Sequence, residues 1–245
     1  MVGMSVPYNT ILRQVGLRIN AIIGAVASTL ETNYTVSPLT TSQFQSTIFP
    51  LTSIKDAIIN SEEKLVQAIS NTGGHPYRAF ILSETAALSS GDVMPSTDAS
   101  GVEIVGIYGS VLDGSDTSIV LTAAPTQEIR RRLNTSSYWK IPVYLYSFDG
   151  NGIIHTRTTV KVQVCVYSAS TQRSAFTSGN ILLPDALEEA YVCGAVSELM
   201  RDDEFLSQAG SYSAYFANTL QSITSGLTSV PQVSMPGPVL NQASQ

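Results

Sequence analysis

Apolar residues recur every three or four positions at both ends of this chain and every second position in its middle, and this change of period constrains the fold more than any other feature. From Tyr8 to about Glu31, Ile11, Val15, Ile19, Ile22, Val26 and Leu30 trace one face of a helix, with Arg13, Gln14, Arg18 and Asn20 on the remainder. A Thr-rich link runs through Pro38. Pro50 then precedes a second amphipathic segment, with Ser53 as the predicted N-cap, Ile54, Ile58, Leu65 and Ile69 as the buried stripe and Gly73-Gly74 as the stop. After Leu183 the helical period returns. Pro184 opens the segment, and Asp185, Glu188 and Glu189 put carboxylates at the positive end of the helix dipole. Leu187, Ala190, Tyr191 and Gly194 share a side on which small residues, Ala195 included, let another helix approach closely. A break is predicted at Asp202-Asp203, beyond which Phe205, Ala209, Tyr212, Phe216, Leu220 and Ile223 continue a helical seam.

Between His75 and about Asn180 the chain is rich in Tyr, Val, Ile and Thr, with turn residues at short intervals, as in a β domain. Its clearest unit is a hairpin in which Lys140 to Phe148 and Ile153 to Tyr167 flank Asp149-Gly150-Asn151-Gly152. Val160, Val162, Val164 and Val166 are predicted on one face of the second strand, and Lys161, Gln163, Cys165 and Tyr167 on the other. A short helix from Pro125 to Leu133 is predicted to interrupt the sheet.

These patterns predict an α+β fold: a helical bundle formed by the N- and C-terminal helices, with an inserted antiparallel β domain and an extended C-terminal tail. The boundaries fall at 1–74 and 181–224 for the two helical parts, 75–180 for the β domain and 225–245 for the tail. The tail is rich in Pro, Ser and Gln and its apolar residues are scattered, so it cannot build a core of its own. Ordering each of its residues costs roughly 1–2 kcal/mol. The expectation is therefore that a neighbouring molecule holds it, through Val230, Val233, Met235, Val239 and Leu240.

Charged residues make up only 13% of the chain, about half the usual share, and hydroxyls and amides replace them. Such a surface is cheaper to desolvate, which suits faces covered by partners. A net charge of −6 argues against general affinity for nucleic-acid phosphates. No apolar run approaches the roughly 18 residues that cross a bilayer. The run Ile19 to Ala27 is interrupted by Asn20 and Gly24 and does not read as a secretory signal, so synthesis in the host cytoplasm is expected.

Chemistry-bearing motifs are sparse: neither a Gly-rich phosphate loop, an HExxH, a GxSxG nor an EF-hand spacing occurs in the sequence. His75 and His155 read as structural or surface imidazoles, and Cys165 and Cys193 as free buried thiols. Asp113, Asp116 and Asp149 lie in Asp-Gly turn sequences, whose common role is backbone capping rather than calcium ligation. The reading is of a protein that is not an enzyme and needs no cofactor or metal. Arg130, Arg131 and Arg132 spread around a helix, where they are either solvated or able to meet an adjacent subunit. DNA binding ranks third for them, since no aromatics are interleaved.

The order helix, helix, β insertion, broken helix and tail, with Leu183-Pro184-Asp185-Ala186-Leu187-Glu188-Glu189-Ala190-Tyr191 followed by Phe205, Tyr212, Phe216, Leu220 and Ile223, resembles the head-to-tail adaptors (connectors or gatekeepers) of tailed bacteriophages. The resemblance covers the helical parts and the tail. It implies a structural virion protein in a homo-oligomeric ring, usually dodecameric, beneath the portal protein. Such a ring continues the DNA channel, carries tail or nozzle proteins and sits at the neck of the virion. Subunit contacts would then involve Ala190, Gly194, Tyr212 and Phe216 besides the three arginines, and the tail residues would reach the portal. The β segment of about a hundred residues departs from the smallest adaptors. Two alternatives stay open: another phage structural role in a tail, fibre attachment or capsid decoration, and a carbohydrate-binding module or hydrolase using Trp139, Tyr144 and Tyr146.

Overall fold

The computed structural model describes residues 6–22, 49–72, 76–133, 144–176, 179–201 and 206–225, and of residues 20–22, 130, 132, 133 and 206–208 the backbone alone. In chain order the elements are α1 (Tyr8–Ile22), α2 (Leu51–Ser70), a 3-10 helix (Pro76–Phe80), β1 (Leu82–Glu84), β2 (Ile104–Asp113), β3 (Val120–Ala123) and α3 (Thr126–Leu133). There follow β4 (Leu145–Phe148), β5 (Ile154–Thr156), β6 (Val160–Val166), α4 (Ala169–Ala175), a 3-10 turn (Asp185–Leu187), α5 (Glu188–Leu199) and α6 (Leu206–Ser225). The chain is thus mixed α+β, and it divides into two compact units. One contains the described residues up to Ile81 and from Tyr167 onward, and the other spans Leu82–Val166.

In the helical unit α5 packs against α1, α2 and α6. Every residue from Ala190 to Val196 is buried, so α5 is surrounded and not one-sided as its spacing suggested. Its composition fits that position, because nothing from Ala190 to Val196 carries a charge and only Tyr191 is bulky. α2 buries the predicted stripe of Ile54, Ile58, Leu65 and Ile69 together with Ile59 and Val66. Each such side chain contributes about 1.5–3 kcal/mol of transfer free energy. The predicted cap is corrected: Pro50, in extended conformation at φ −66°, occupies the N-cap position, and Ser53 lies inside the first turn. The ring of Pro50 already fixes the backbone for helix initiation, and its carbonyl accepts from the N–H of Ile54. Helix α4 and the 3-10 helix Pro76–Phe80 fall inside the stretch 75–180 expected to be β, yet they belong to the helical unit. Ser168 starts α4 by accepting from the N–H of Thr171. The predicted extension of α1 to Glu31, the Gly73-Gly74 stop, the Asp202-Asp203 break and Phe205 lie outside the described residues.

The other unit is a six-stranded sheet in the order β1-β6-β2-β3-β4-β5. Its β3–β4 pair is parallel and the others are antiparallel, so the predicted antiparallel domain is a mixed sheet. Parallel neighbours need a crossover, and the helix predicted near Pro125 supplies it as α3. The predicted hairpin is present, with Tyr146 opposite Thr156, Ser147 opposite His155 and Phe148 opposite Ile154. Asp149 Oδ1 accepts from the N–H groups of Asn151 and Ile153, and Gly152 adopts φ +74° to close the turn. The predicted strand 153–167 is two strands, β5 and β6, set apart in the sheet order. Val160, Val162 and Val164 are fully buried on one face with Leu88, Val111, Leu121, Tyr146 and Ile154, and Val166 packs partly buried beside them.

Candidate functional site

Glu62 lies four residues after Ile58 and four before Val66, on the apolar stripe of α2, and it is fully buried. A carboxyl there must find donors within the protein. Three segments distant in sequence converge to supply them. Tyr191 of α5 donates to Oε2 at 2.6 Å, and the backbone N–H of Leu182 reaches the same oxygen at 3.2 Å. The Tyr8 hydroxyl, at the start of α1, lies 2.9 Å from Oε1 and 2.8 Å from Oε2. It is also 2.8 Å from Oε1 of Gln172 on α4. The Tyr8 ring stacks on Phe176 with centroids 4.4 Å apart. Burial raises Glu62 above the ordinary carboxyl range, against the opposing pull of the bonds from Tyr191, Tyr8 and Leu182. Burial, and then the charge of Glu62, push the hydroxyls of Tyr8, Tyr167 and Tyr191 upward as well.

A second cluster ties α1 to α5 and α6. The Arg18 guanidinium grips Glu189 with two bonds of 2.6 and 2.7 Å and lies 5.6 Å from the ring centre of Tyr212. Its bonds hold Glu189 below the usual carboxylate range. Cys193, one turn after Glu189, is pushed up to about 12, by burial first and the carboxylate second. Gln14 donates to Glu188 one turn earlier in α1. A shallow open groove of about 400 Å³ is lined by Asn60, Glu63, Lys64, Gln67, Glu198 and Arg201. Within it Glu198 takes Asn60 at 2.6 Å and Lys64 at 2.8 Å, so these polar groups are largely spent on one another.

The predicted interface residues have diverse placements. Ala190 and Gly194 are buried in α5, and Phe216 of α6 packs over Gly194, so packing within the chain takes up all three. Tyr212 is half-buried beneath Arg18, and Arg131 is exposed on α3. The side chains of Arg130 and Arg132 lie outside the description, as do Val230, Val233, Met235, Val239 and Leu240 of the tail. Trp139 and His75 also lie outside it, whereas Tyr146 is buried edge-on to Phe148, its ring withdrawn from any exposed stacking surface. Cys165 and Cys193 are both buried and neither forms a disulfide, as expected. The carboxylates of Asp113 and Asp116 accept N–H groups of Ser115 and Ser118 in their own turns, which is the capping role read from the sequence. His155 lies 3.4 Å from Asp149 in the hairpin. Among the described residues no group of three His, Cys, Asp or Glu is placed to hold a metal, and no helix is long and apolar enough to cross a membrane.

No protein-family model matches the chain, and a search of the curated proteins finds no match. The cluster around Glu62 was missed in the sequence because Ser61-Glu62-Glu63-Lys64 reads as a polar face. The available signal was the phase of Glu62, which repeats that of Ile58 and Val66.

Proposed function

We propose that this chain is a structural virion protein that forms a ring beneath the portal and joins a phage head to its tail. The observation that carries the reading is the arrangement of the units: helices from both ends of the chain share one core, and the sheet unit is inserted between them. We read α1, α2, α5 and α6 as the bundle of such an adaptor.

The outer face of α6 supports the reading. No residue of α6 is charged, and Gly210, Ser211, Ala214, Tyr215, Asn218 and Ser222 are exposed along it. A Cβ added at Gly210 would meet nothing within 4 Å, so this face has room for a neighbour's helix. Covering it strips water from hydroxyls and amides but from no charge, which keeps the cost of association low. Repetition around a ring then strengthens a weak contact such as the tail on the portal, because each engagement after the first is effectively intramolecular.

The sheet unit supports a second position in the virion. Val93, Ile107, Ile119, Val120 and Tyr144 are all about half exposed or more, enough apolar surface for the sheet to be the main interface of a tail, fibre-attachment or decoration protein. Native mass spectrometry and negative-stain imaging of the purified protein, alone and with portal, separate the two. Ring-sized assemblies that dock on portal are expected. A persistent monomer that ignores portal overturns the adaptor reading, and binding to tail or capsid components alone favours the second.

A further inference from the structure

Helix α6 has a surface unlike that of the other described helices. Each of α1 to α5 carries charged residues, whereas α6 has none, and no charged side chain occurs anywhere from Phe205 to Gln245. Its inner side is formed by Ala209, Phe216 and Ile223, all buried. Ser211, Ala214, Asn218, Gln221 and Ser225 run down the opposite side at spacings of three and four, with Tyr215 and Ser222 beside them, and all are exposed. The hydroxyls of Ser222 and Ser225 already donate to carbonyls of their own helix, those of Asn218 at 2.8 Å and Ser222 at 3.4 Å. They therefore lose little on leaving water and keep lone pairs for a neighbour's donors.

Two arguments identify a second copy of the chain as the molecule that covers this side. The first is charge. Copies of net charge −6 repel one another wherever their carboxylates face. Along α6 they can touch without opposing two carboxylates and without stripping water from an ion. The second is the order of the side chains, because the face matches itself when turned end for end about Asn218. Asn218 then meets the partner's Asn218, and each carboxamide supplies both a donor and an acceptor. On either side of that centre large meets small: Tyr215 lies beside the partner's Ser222, and Gln221 beside the partner's Ala214. At the ends Ser211 meets the partner's Ser225.

We propose that α6 pairs antiparallel with α6 of a second copy, about a two-fold axis that passes Asn218. A two-fold contact closes on itself, so a paired copy cannot offer the same face to a ring. The pair thus holds free copies back from ring growth, a consequence that rests on the ring reading, whereas the pairing itself does not. One helix pair is small beside the roughly 1,200–2,000 Å² of stable interfaces, so the pair is transient and concentration-dependent.

The test is disulfide trapping in the full-length protein, with the wild type as the control for Cys165 and Cys193. Asn218→Cys, at the axis, should give a covalent dimer on mild oxidation. Ser211→Cys and Ser225→Cys should each give little alone and a covalent dimer when mixed, because only the antiparallel order brings them together. Asn218→Asp sets two carboxylates face to face and should weaken the pair by roughly tenfold or more in analytical ultracentrifugation. Its thermal melt at low concentration should match the wild type, since the residue is exposed. A protein that stays monomeric at every concentration leaves the face to a different molecule and overturns the pairing. So does a Ser211→Cys variant that cross-links to itself as well as it does in the mixture. Docking on portal is read separately: a ring without the cross-link at 218 sinks the pair and keeps the adaptor reading, and a cross-linked pair whose reduced form ignores portal does the reverse.

Discussion

Replacing Gly194 with alanine distinguishes packing within the chain from packing between chains. A Cβ built on Gly194 lies 2.7 Å from Oγ and 2.9 Å from Cβ of Ser61 on α2, and 2.8 Å from the Phe216 ring on α6. All three distances are shorter than real carbon contacts, and the helices press from two sides. Ser61 is fully buried, and its hydroxyl is already bonded to the Ala57 carbonyl at 2.8 Å, so it cannot simply turn away. Overpacking of this kind costs about 1–3 kcal/mol. Alanine returns about 1 kcal/mol through its higher helix propensity. With contacts on both sides the cost belongs in the upper part of its range, and the expected net loss is about 1–2 kcal/mol. Valine, with more volume and a weaker helix preference than alanine, should lose more. Urea denaturation followed by far-ultraviolet circular dichroism reads the difference as a lower midpoint at unchanged slope. Adding Ser61→Ala removes the shortest contact, so the double variant should be less destabilised than the sum of the singles, with a coupling of at least about 0.5 kcal/mol. A Gly194→Ala protein as stable as the wild type, with weakened self-association alone, would refute the reasoning and return Gly194 to an interface between chains.

Two further outcomes are expected. Arg18→Ala should lower stability by only about 0.5–1 kcal/mol at neutral pH, because the pair with Glu189 is partly exposed, and the loss should shrink in high salt. Since Glu189 is held below its ordinary value, the contribution of the pair is present above that value and should disappear as pH falls through the lowered one, which thermal melts of both proteins at descending pH will show. Cys193, buried and pushed up to about 12, and the buried Cys165 should resist maleimide labelling at mildly alkaline pH and react only on unfolding; rapid labelling of native protein would contradict their placement.

Local periodicity located most elements, since a helix or strand that buries one side must repeat its apolar residues with its own period. The stripe of α2, the seam of α6 at Ala209, Phe216 and Ile223, and the Asp149–Gly152 hairpin were all legible for that reason. The helix α4 was hidden because no residue of it is buried, so it carries no apolar stripe; Ser168 as a cap was its only local sign. The separation of β5 from β6 was hidden because the alternation carries on through both strands.

The amino-acid order alone therefore determined that helices flank a β segment and where its tightest turn falls. Tertiary structure decided that α5 is enclosed on every side, that β3 and β4 run parallel, and that Glu62 meets Tyr8, Tyr191 and the N–H of Leu182. The physical reason is range: a period reports which side of an element avoids water, whereas the partner that covers that side, and the donors a buried carboxyl finds there, depend on residues more than fifty positions away.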